Sequence, residues 1–231
     1  MKSVHKMKYG IMGASGRMGQ EVKALVLEAG HEVIVELTSK NFNEYLKNKK
    51  SQKPDIWIDF SSPEGLGLLI EHLNKFPTPI VSGTTGISKE QKTKLKKYSK
   101  KASVFWAPNM SVGIALVMKM LEVFDSYSDF DFQIDEIHHR YKKDKPSGTA
   151  ILLQEKLKEV VGRRDIPDPL SIRGGGVYGV HRVQALSDEE VISIEHTALN
   201  RRVFAKGALW AAQKVFQYKS GYFEMKDLLK V

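Results

Sequence analysis

Between residues 8 and 106, short apolar runs alternate with longer amphipathic stretches at a steady rhythm. The runs Lys8–Met12, Glu32–Leu37, Ile56–Asp59, Pro79–Ser82 and Ser103–Trp106 read as strands. Between and after them, helical spacing covers Arg17–Glu28, Glu64–Lys75, Lys89–Lys100 and Val112–Phe124. Strand and helix taken in turn predict parallel βαβ units and an α/β fold. In such sheets ligands bind beyond the carboxyl ends of the strands, so the glycine and proline clusters at the strand-to-helix junctions are where chemistry is expected.

Beyond about residue 125 the pattern changes. Longer, antiparallel-looking strands are expected at Phe132–His138, Leu170–Arg173, Val180–Ala185 and Glu190–Thr197, with one helix at Thr149–Val160. The tail returns to helix at Val203–Gln217 and Met225–Leu229, placed to pack back on the first part. The expected division is a parallel-sheet domain at 1–109, completed by 201–231, and a second α+β domain at 110–200. Asn41 to Pro54 is too short for extra βα elements.

The 231 residues, 42% hydrophobic and 27% charged, are those of an ordinary globular protein with ample core. Zero cysteines exclude disulfides and thiolate metal sites and fit a reducing cytoplasm, where the chain is placed. No metal centre and no membrane span are expected, because no apolar run has the length of one. The net charge of +9 invites a nucleic-acid reading. Its sources are Lys47, Lys49, Lys50 and Lys53 and the stretch from Lys89 to Lys101, whose Leu95 and Tyr98 face inward while lysines face water. Neither segment interleaves aromatics with basic residues as a single-strand binder does, so a solvated face is the better reading.

Gly10-Ile-Met-Gly13-Ala-Ser-Gly16-Arg17-Met18-Gly19 follows the first strand and opens the first helix, the setting a dinucleotide-binding turn requires. Gly13 permits the tight turn, Gly16 lets the backbone approach a pyrophosphate, and the helix N-terminus faces the negative charge. Ala14 and Ser15 in the middle depart from strict Gly-x-Gly-x-x-Gly spacing. The second strand runs out through Glu36 to Thr38, Ser39 and Lys40, hydroxyls and a lysine where a ribose-binding carboxylate often stands. That favours the 2′-phosphate of NADPH over NADH. Gly83-Thr84-Thr85-Gly86 and Ala107-Pro108-Asn109-Met110-Ser111 end later strands, where a nicotinamide would cross the sheet edge, and Asn109 suits its carboxamide.

A buried strand (Phe132, Ile134, Ile137) leads into His138-His139, then Lys142, Lys143 and Lys145, then Pro146-Ser147-Gly148-Thr149 opening an apolar helix with Ser147 as N-cap. Histidines that titrate near neutrality, cations and helix N–H groups in one stretch describe a site for an anionic small molecule that must accept a proton. Arg173-Gly174-Gly175-Gly176 reads as a mobile loop unless something binds it.

Gly13-Ala-Ser-Gly-Arg-Met18, Ile58-Asp-Phe60, Gly83-Thr-Thr-Gly86, Ala107-Pro-Asn109 and Glu136-Ile-His-His139 through Pro146-Ser-Gly-Thr-Ala150, taken together and in order, resemble the 4-hydroxy-tetrahydrodipicolinate reductase family. The tail, His196-Thr-Ala-Leu-Asn-Arg201 and Lys219-Ser-Gly-Tyr222 with Met225 and Asp227, is similar as well. The resemblance implies a Rossmann-like domain that binds NADH or NADPH, an α+β domain for substrate binding and oligomerisation, and a homotetramer. The implied reaction is reduction of a cyclic dicarboxylate in lysine and diaminopimelate biosynthesis. It implies His138 as proton donor and Lys142 as catalytic lysine, with His139, Ser147, Gly148 and Thr149 on the substrate. The implied dinucleotide contacts are Gly13, Ala14, Ser15, Gly16, Arg17, Met18, Thr38, Gly83, Thr84, Thr85, Ala107, Pro108, Asn109 and Met110. Two other readings are a related aspartate-type amino-acid dehydrogenase and a catalytically inactive nucleotide-sensing or nucleic-acid-binding relative. The histidine and Pro-Ser-Gly-Thr segment opposes the first; intact His138 and Lys142 oppose the second.

Overall fold

The computed structural model describes residues 6–38, 40–47, 53–126, 129–162 and 165–229. The chain divides into two compact units, 1–111 with 202–231, and 112–201.

Unit 1 carries a six-stranded parallel sheet made of β1 (Lys8–Met12), β2 (Glu32–Leu37), β3 (Ile56–Asp59), β4 (Ile80–Ser82), β5 (Ser103–Trp106) and β10 (Gly221–Phe223), in the order β10-β5-β4-β3-β1-β2. Its helices are α1 (Arg17–Glu28), α2 (Phe42–Lys47), α3 (Pro63–Lys75), α4 (Lys89–Tyr98), α7 (Arg202–Val215) and α8 (Met225–Leu228). Alternation along each strand divides its side chains between two faces. Trp57, Ile80, Val104 and Trp106 pack with Leu66, Leu69, Leu73, Leu95 and Tyr98 of α3 and α4. On the other side α7 packs on β3, β4 and β5 and against α1. The basic helix α4 buries Leu95 and Tyr98, as its spacing predicts. It spends two of its lysines on aromatic rings, Lys92 4.4 Å from the Trp106 centroid and Lys96 5.5 Å from that of Tyr222.

Two departures from the sequence reading concern this unit. Between β2 and β3, where no helix is expected, the short α2 forms and buries Phe42 against the α3 side of the sheet, with no extra strand beside it among the described residues. The tail contributes a strand, β10, as well as helices, and pairs it in parallel with β5. Lys49 and Lys50 of the first basic segment lie outside the described residues.

Unit 2 holds α5 (Val112–Met120), which passes into a 3₁₀ turn at Leu121–Ser126 and so ends before Phe124 as an α-helix. A four-stranded sheet follows, with β6 (Asp131–His138), β7 (Leu170–Arg173), β8 (Gly179–Leu186) and β9 (Val191–Ala198) in the order β7-β6-β8-β9, and α6 (Gly148–Val161). The expectation of antiparallel strands holds for β6 with β8 and β8 with β9, but β7 runs parallel to β6. Phe132, Ile134, Val183 and Ala185 meet Ala150, Leu153 and Leu157 of α6 in one core. Along β6 the residues facing this core are Phe132, Ile134, Glu136 and His138. Ile137, expected among the buried positions, lies half-buried on the opposite face, since side chains alternate with period two. Among the described residues no helix is long and apolar enough to cross a membrane.

Candidate active site

In unit 1, β1 lies between β2 and β3, so the strand order reverses beside it, the position at which open α/β sheets bind ligands. The turn leaving β1 is held by the N–H groups of Gly13 and Ala14, both donating to the Leu37 carbonyl at 2.9 and 3.0 Å. Gly13 has φ +85°, and a Cβ there would come 2.5 Å from the Phe60 carbonyl oxygen. At Gly19 a Cβ would come 2.3 Å from the Gly13 carbonyl oxygen, so helix and turn approach backbone to backbone. Gly16 is the N-cap of α1 and supplies no side-chain cap, and the first turn carries no acidic residue. Ser15, Gly16 and Arg17 are exposed around it. An uncapped helix start without carboxylates, reached over glycine, fits the pyrophosphate of a dinucleotide.

Asp59, at the end of β3, is fully buried and organises the neighbouring strand ends. It accepts from Ser61 N (3.1 Å), Ser61 Oγ (2.5 Å), Ser82 Oγ (2.7 Å) and Thr84 Oγ1 (2.7 Å). Burial pushes its carboxyl up, and the four donors pull against that. Thr84 is therefore turned inward: its hydroxyl serves Asp59, its carbonyl accepts from Trp106 Nε1 at 3.1 Å, and Thr85 and Gly86 form the exposed part of the loop. Asn109 Oδ1 accepts from Ser111 N at 2.8 Å, which closes its own turn. Ala107 and Met110 are buried and Pro108 is exposed. At the end of β2, Glu36 pairs with Lys23 of α1 at 2.8 Å. Thr38 bonds Asn41 Oδ1 through both N (2.8 Å) and Oγ1 (3.2 Å), Lys40 is exposed, and Ser39 lies outside the described residues.

In unit 2 the pairing register explains the site. β6 sets Glu136 opposite His181 of β8 and His138 beside Arg173 of β7, all at the end of the sheet nearest the start of α6. Glu136 is 0% exposed, His138 7% and the Arg173 side chain 6%. His138 Nδ1 is hydrogen-bonded to Glu136 Oε2. Glu136 Oε1 accepts from Arg173 Nη2 at 2.7 Å and from Ser147 N at 3.3 Å. Arg173 is anchored in turn by donating to the carbonyls of Asp144 (2.5 Å) and Ile172 (2.8 Å). Burial would raise the Glu136 carboxyl, but Arg173 and His138 hold it down to about 2. Burial pushes His138 down, Glu136 opposes this, and Lys142 and Arg173 add to it. His181 is driven to about 3 by burial and by His138. Glu136, His138 and His181 bring donor atoms within 4.8 Å of one another, as metal ligands do. The Arg173 guanidinium already supplies the positive charge there and occupies one carboxylate oxygen while His138 takes the other, so the group is an ion-pair network.

Around this network stand the other expected substrate residues. Ser147 is the N-cap of α6, and its hydroxyl accepts from Ala150 N at 3.2 Å and bonds His181 Nε2 at 3.1 Å. It is 1% exposed, and its side chain braces the start of α6 against β8. Gly148 is exposed and Thr149 half-buried at the first turn, whose N–H groups point out along the helix axis. Lys142 is half-buried and pairs with Asp144 at 2.8 Å. Among the described residues, His139 Nδ1 is buried without a hydrogen-bond partner. The glycine loop after β7 is tied back to the histidines, Gly174 N donating to His138 O at 3.0 Å and Arg140 N to Gly175 O at 3.3 Å.

Family models match almost the whole chain: dihydrodipicolinate reductase, N-terminus, over residues 7–110, and dihydrodipicolinate reductase, C-terminus, over residues 113–229. The chain belongs to the dihydrodipicolinate reductase family. It is 50% identical over 227 residues to 4-hydroxy-tetrahydrodipicolinate reductase of Bdellovibrio bacteriovorus, covering 97% of this chain and 96% of that one. It is 36% identical to the enzyme of the same name from Thermosipho africanus, covering 97% and 98%. A dipicolinate-bound dihydrodipicolinate reductase from Paenisporosarcina sp. TG-14 shares the fold with a TM-score of 0.80, at 22% identity over 97% of this chain and 100% of that one.

Within this member of the dihydrodipicolinate reductase family, the structure brings His138, His139, Lys142, Ser147, Gly148 and Thr149 to one end of the unit 2 sheet. It gathers Gly13 through Met18, Thr38 and Gly83 through Thr85 at the carboxyl ends of neighbouring unit 1 strands. Glu136, Arg173, His181 and Asp59 were not among the expected site residues. Glu136 and Asp59 each carried one signal, a carboxylate at an inward position of an apolar strand.

Proposed function

We propose that this chain reduces 4-hydroxy-tetrahydrodipicolinate to tetrahydrodipicolinate with NAD(P)H, a step in lysine and diaminopimelate biosynthesis. The observation that carries the reading is the buried His138–Glu136–Arg173 network beside the open start of α6, in a chain half identical to a relative named for that reaction. A nicotinamide dinucleotide, when bound, supplies the hydride. Gly13 to Met18, with the uncapped start of α1, hold its pyrophosphate, and the loops at Gly83–Thr85 and Ala107–Met110 border its far end. Asp59 fixes the first of those loops through Thr84.

The residues of unit 2 manage charge and the proton. His138 exchanges the proton at Nε2, because Nδ1 is committed to Glu136. Lys142 and the first-turn N–H groups of Gly148 and Thr149 hold carboxylate, with His139 Nδ1 as a further polar contact. Between the two cofactors, the loop favours NADPH: Glu36 is paired with Lys23, no carboxylate follows it, and Lys40 is exposed beside Thr38. We also assign the chain to the cytoplasm, which the cysteine-free sequence fits, and to a homotetramer, which the family resemblance implies.

The test is a coupled assay that makes the substrate from pyruvate and aspartate semialdehyde through the upstream synthase and follows NAD(P)H absorbance. Oxidation of neither NADH nor NADPH would sink the proposal. His138→Gln is expected to lower kcat by about 10²-fold or more while leaving cofactor affinity unchanged. Lys40→Ala should reduce the NADPH-to-NADH preference; an unchanged ratio rejects the phosphate role.

A further inference from the structure

We propose that Glu136 is a positioning residue that fixes His138 with its proton on Nδ1 and Nε2 as the exchanging atom, and that Arg173 and the N-cap of α6 hold Glu136 for that task. This rests on His138 being the proton-transfer group. Glu136 and His138 are two residues apart on β6, hence on one face of the strand, and both are buried. A carboxylate held at about 2 is ionised at any working pH and can only accept, so Nδ1 must donate to it. Nε2 is then the one ring atom able to gain or lose a proton.

The carboxylate itself is held from three elements. Oε2 takes His138, while Oε1 takes Arg173 Nη2 from β7 and Ser147 N from the start of α6. With both oxygens engaged it has no freedom to turn. Gly179 of β8 lies beside the free edge of the ring, where a Cβ would come 3.1 Å from Nε2, a tighter approach than ordinary van der Waals contact. The His181 ring stands edge-on to His138, with centroids 5.0 Å apart and planes at 75°, and its own Nε2 is taken by Ser147. The charged or titratable groups facing His138 are thus Glu136 on β6, Arg173 on β7, His181 on β8 and Lys142 in the loop after β6. Of these Glu136 alone favours the protonated ring.

Full-length protein labelled with ¹⁵N-histidine gives the first test, with the His138 signals identified by their loss in His138→Gln. At a pH where His138 is neutral, two-bond ¹H–¹⁵N spectra are expected to show Nδ1–H; Nε2–H in the wild type overturns the proposal and requires no variant to fold. The second test is Glu136→Gln in the reductase assay. Its kcat is expected to fall about 10- to 100-fold, with KM for the dicarboxylate within about threefold. A proton donor works below its pKa and Glu136 supports that pKa, so the alkaline fall of kcat is expected about 1 pH unit or more lower in this variant. Wild-type kcat, or a loss of kcat with an unmoved alkaline limb, overturns the positioning role. The spectra are read without turnover, so a wild type that oxidises neither cofactor overturns the proposed function instead.

Discussion

The Glu136–Arg173 pair makes a quantitative prediction about the stability of unit 2. Both side chains are buried, 0% and 6% exposed, with 2.7 Å between Oε1 and Nη2. Removing one partner leaves the other charge uncompensated, so Glu136→Gln and Arg173→Met should each cost about 3–5 kcal/mol at pH 7. The double variant leaves no orphan charge. It loses the bonds to Ser147 N, Asp144 O and Ile172 O and one acceptor for His138, about 2–4 kcal/mol in all. The coupling between the two sites is therefore expected to be about 2 kcal/mol or more. Acid gives an independent figure. A carboxyl titrating at about 2 instead of 4.5 contributes about 3 kcal/mol above its unfolded value. Because the folded value is depressed, that stability is present above about pH 4.5 and is lost as pH falls toward 2. All three tryptophans, Trp57, Trp106 and Trp210, lie in unit 1, so unit 2 holds no tryptophan as a local probe of this pair. Hydrogen exchange of the β6 and β8 amides provides one. Additive single effects within about 0.5 kcal/mol, or a Glu136→Gln variant that loses as much protection as wild type between pH 6 and pH 2.5, would refute the reasoning.

Three further outcomes are expected. Gly13→Ala places a Cβ 2.5 Å from the Phe60 carbonyl in a left-handed backbone, and should cost about 2 kcal/mol or more in thermal unfolding and weaken NADH and NADPH binding in fluorescence titrations; unchanged affinity would remove the turn from the cofactor site. Asp59→Ala strips the acceptor from three hydroxyls and should cost about 3 kcal/mol or more, whereas Asp59→Asn, which keeps the side-chain shape and one acceptor oxygen, should cost clearly less; equal denaturation midpoints for the two variants would contradict this. Gly179→Ala crowds His138 Nε2 and should lower kcat at least about tenfold while leaving cofactor affinity intact, and steady-state kinetics with full activity would show that Nε2 does not need that space.

What the sequence revealed depended on how local the signal was. β1 and β3 to β5 are short runs with turn residues at their ends, legible from composition and rhythm alone. β10 is three half-buried residues, Gly221 to Phe223, and becomes a strand only through pairing with β5 more than a hundred residues earlier. The parallel direction of β7 is likewise a property of the pairing and leaves no mark on Leu170–Arg173 itself. At the site, His138 and Ser147 stood out by residue type and context. Glu136 was readable in principle, since Phe132, Ile134, Glu136 and His138 keep period two, but counting Ile137 as buried followed its apolar character over its position. Arg173 and His181 join the cluster through the registers of two neighbouring strands, which no local pattern encodes. Thr84 and Asn109 carry a task that residue type alone does not announce: their side chains also close the protein's own loops.

The place of β10 and α7 in the first unit bears on how the chain is made. Residues 1–111 emerge with the outer edge of β5 unpaired and the sheet face under α7 bare. Their cover, Ala208, Leu209, Ala212 and the Gly221–Phe223 strand, is synthesised only after every residue of the second unit. That second unit is continuous and has all its partners in hand by residue 201. Order of completion thus runs against order of synthesis, and a ribosome stalled before residue 223 leaves behind an open parallel edge, the kind of surface on which nascent chains pair with one another.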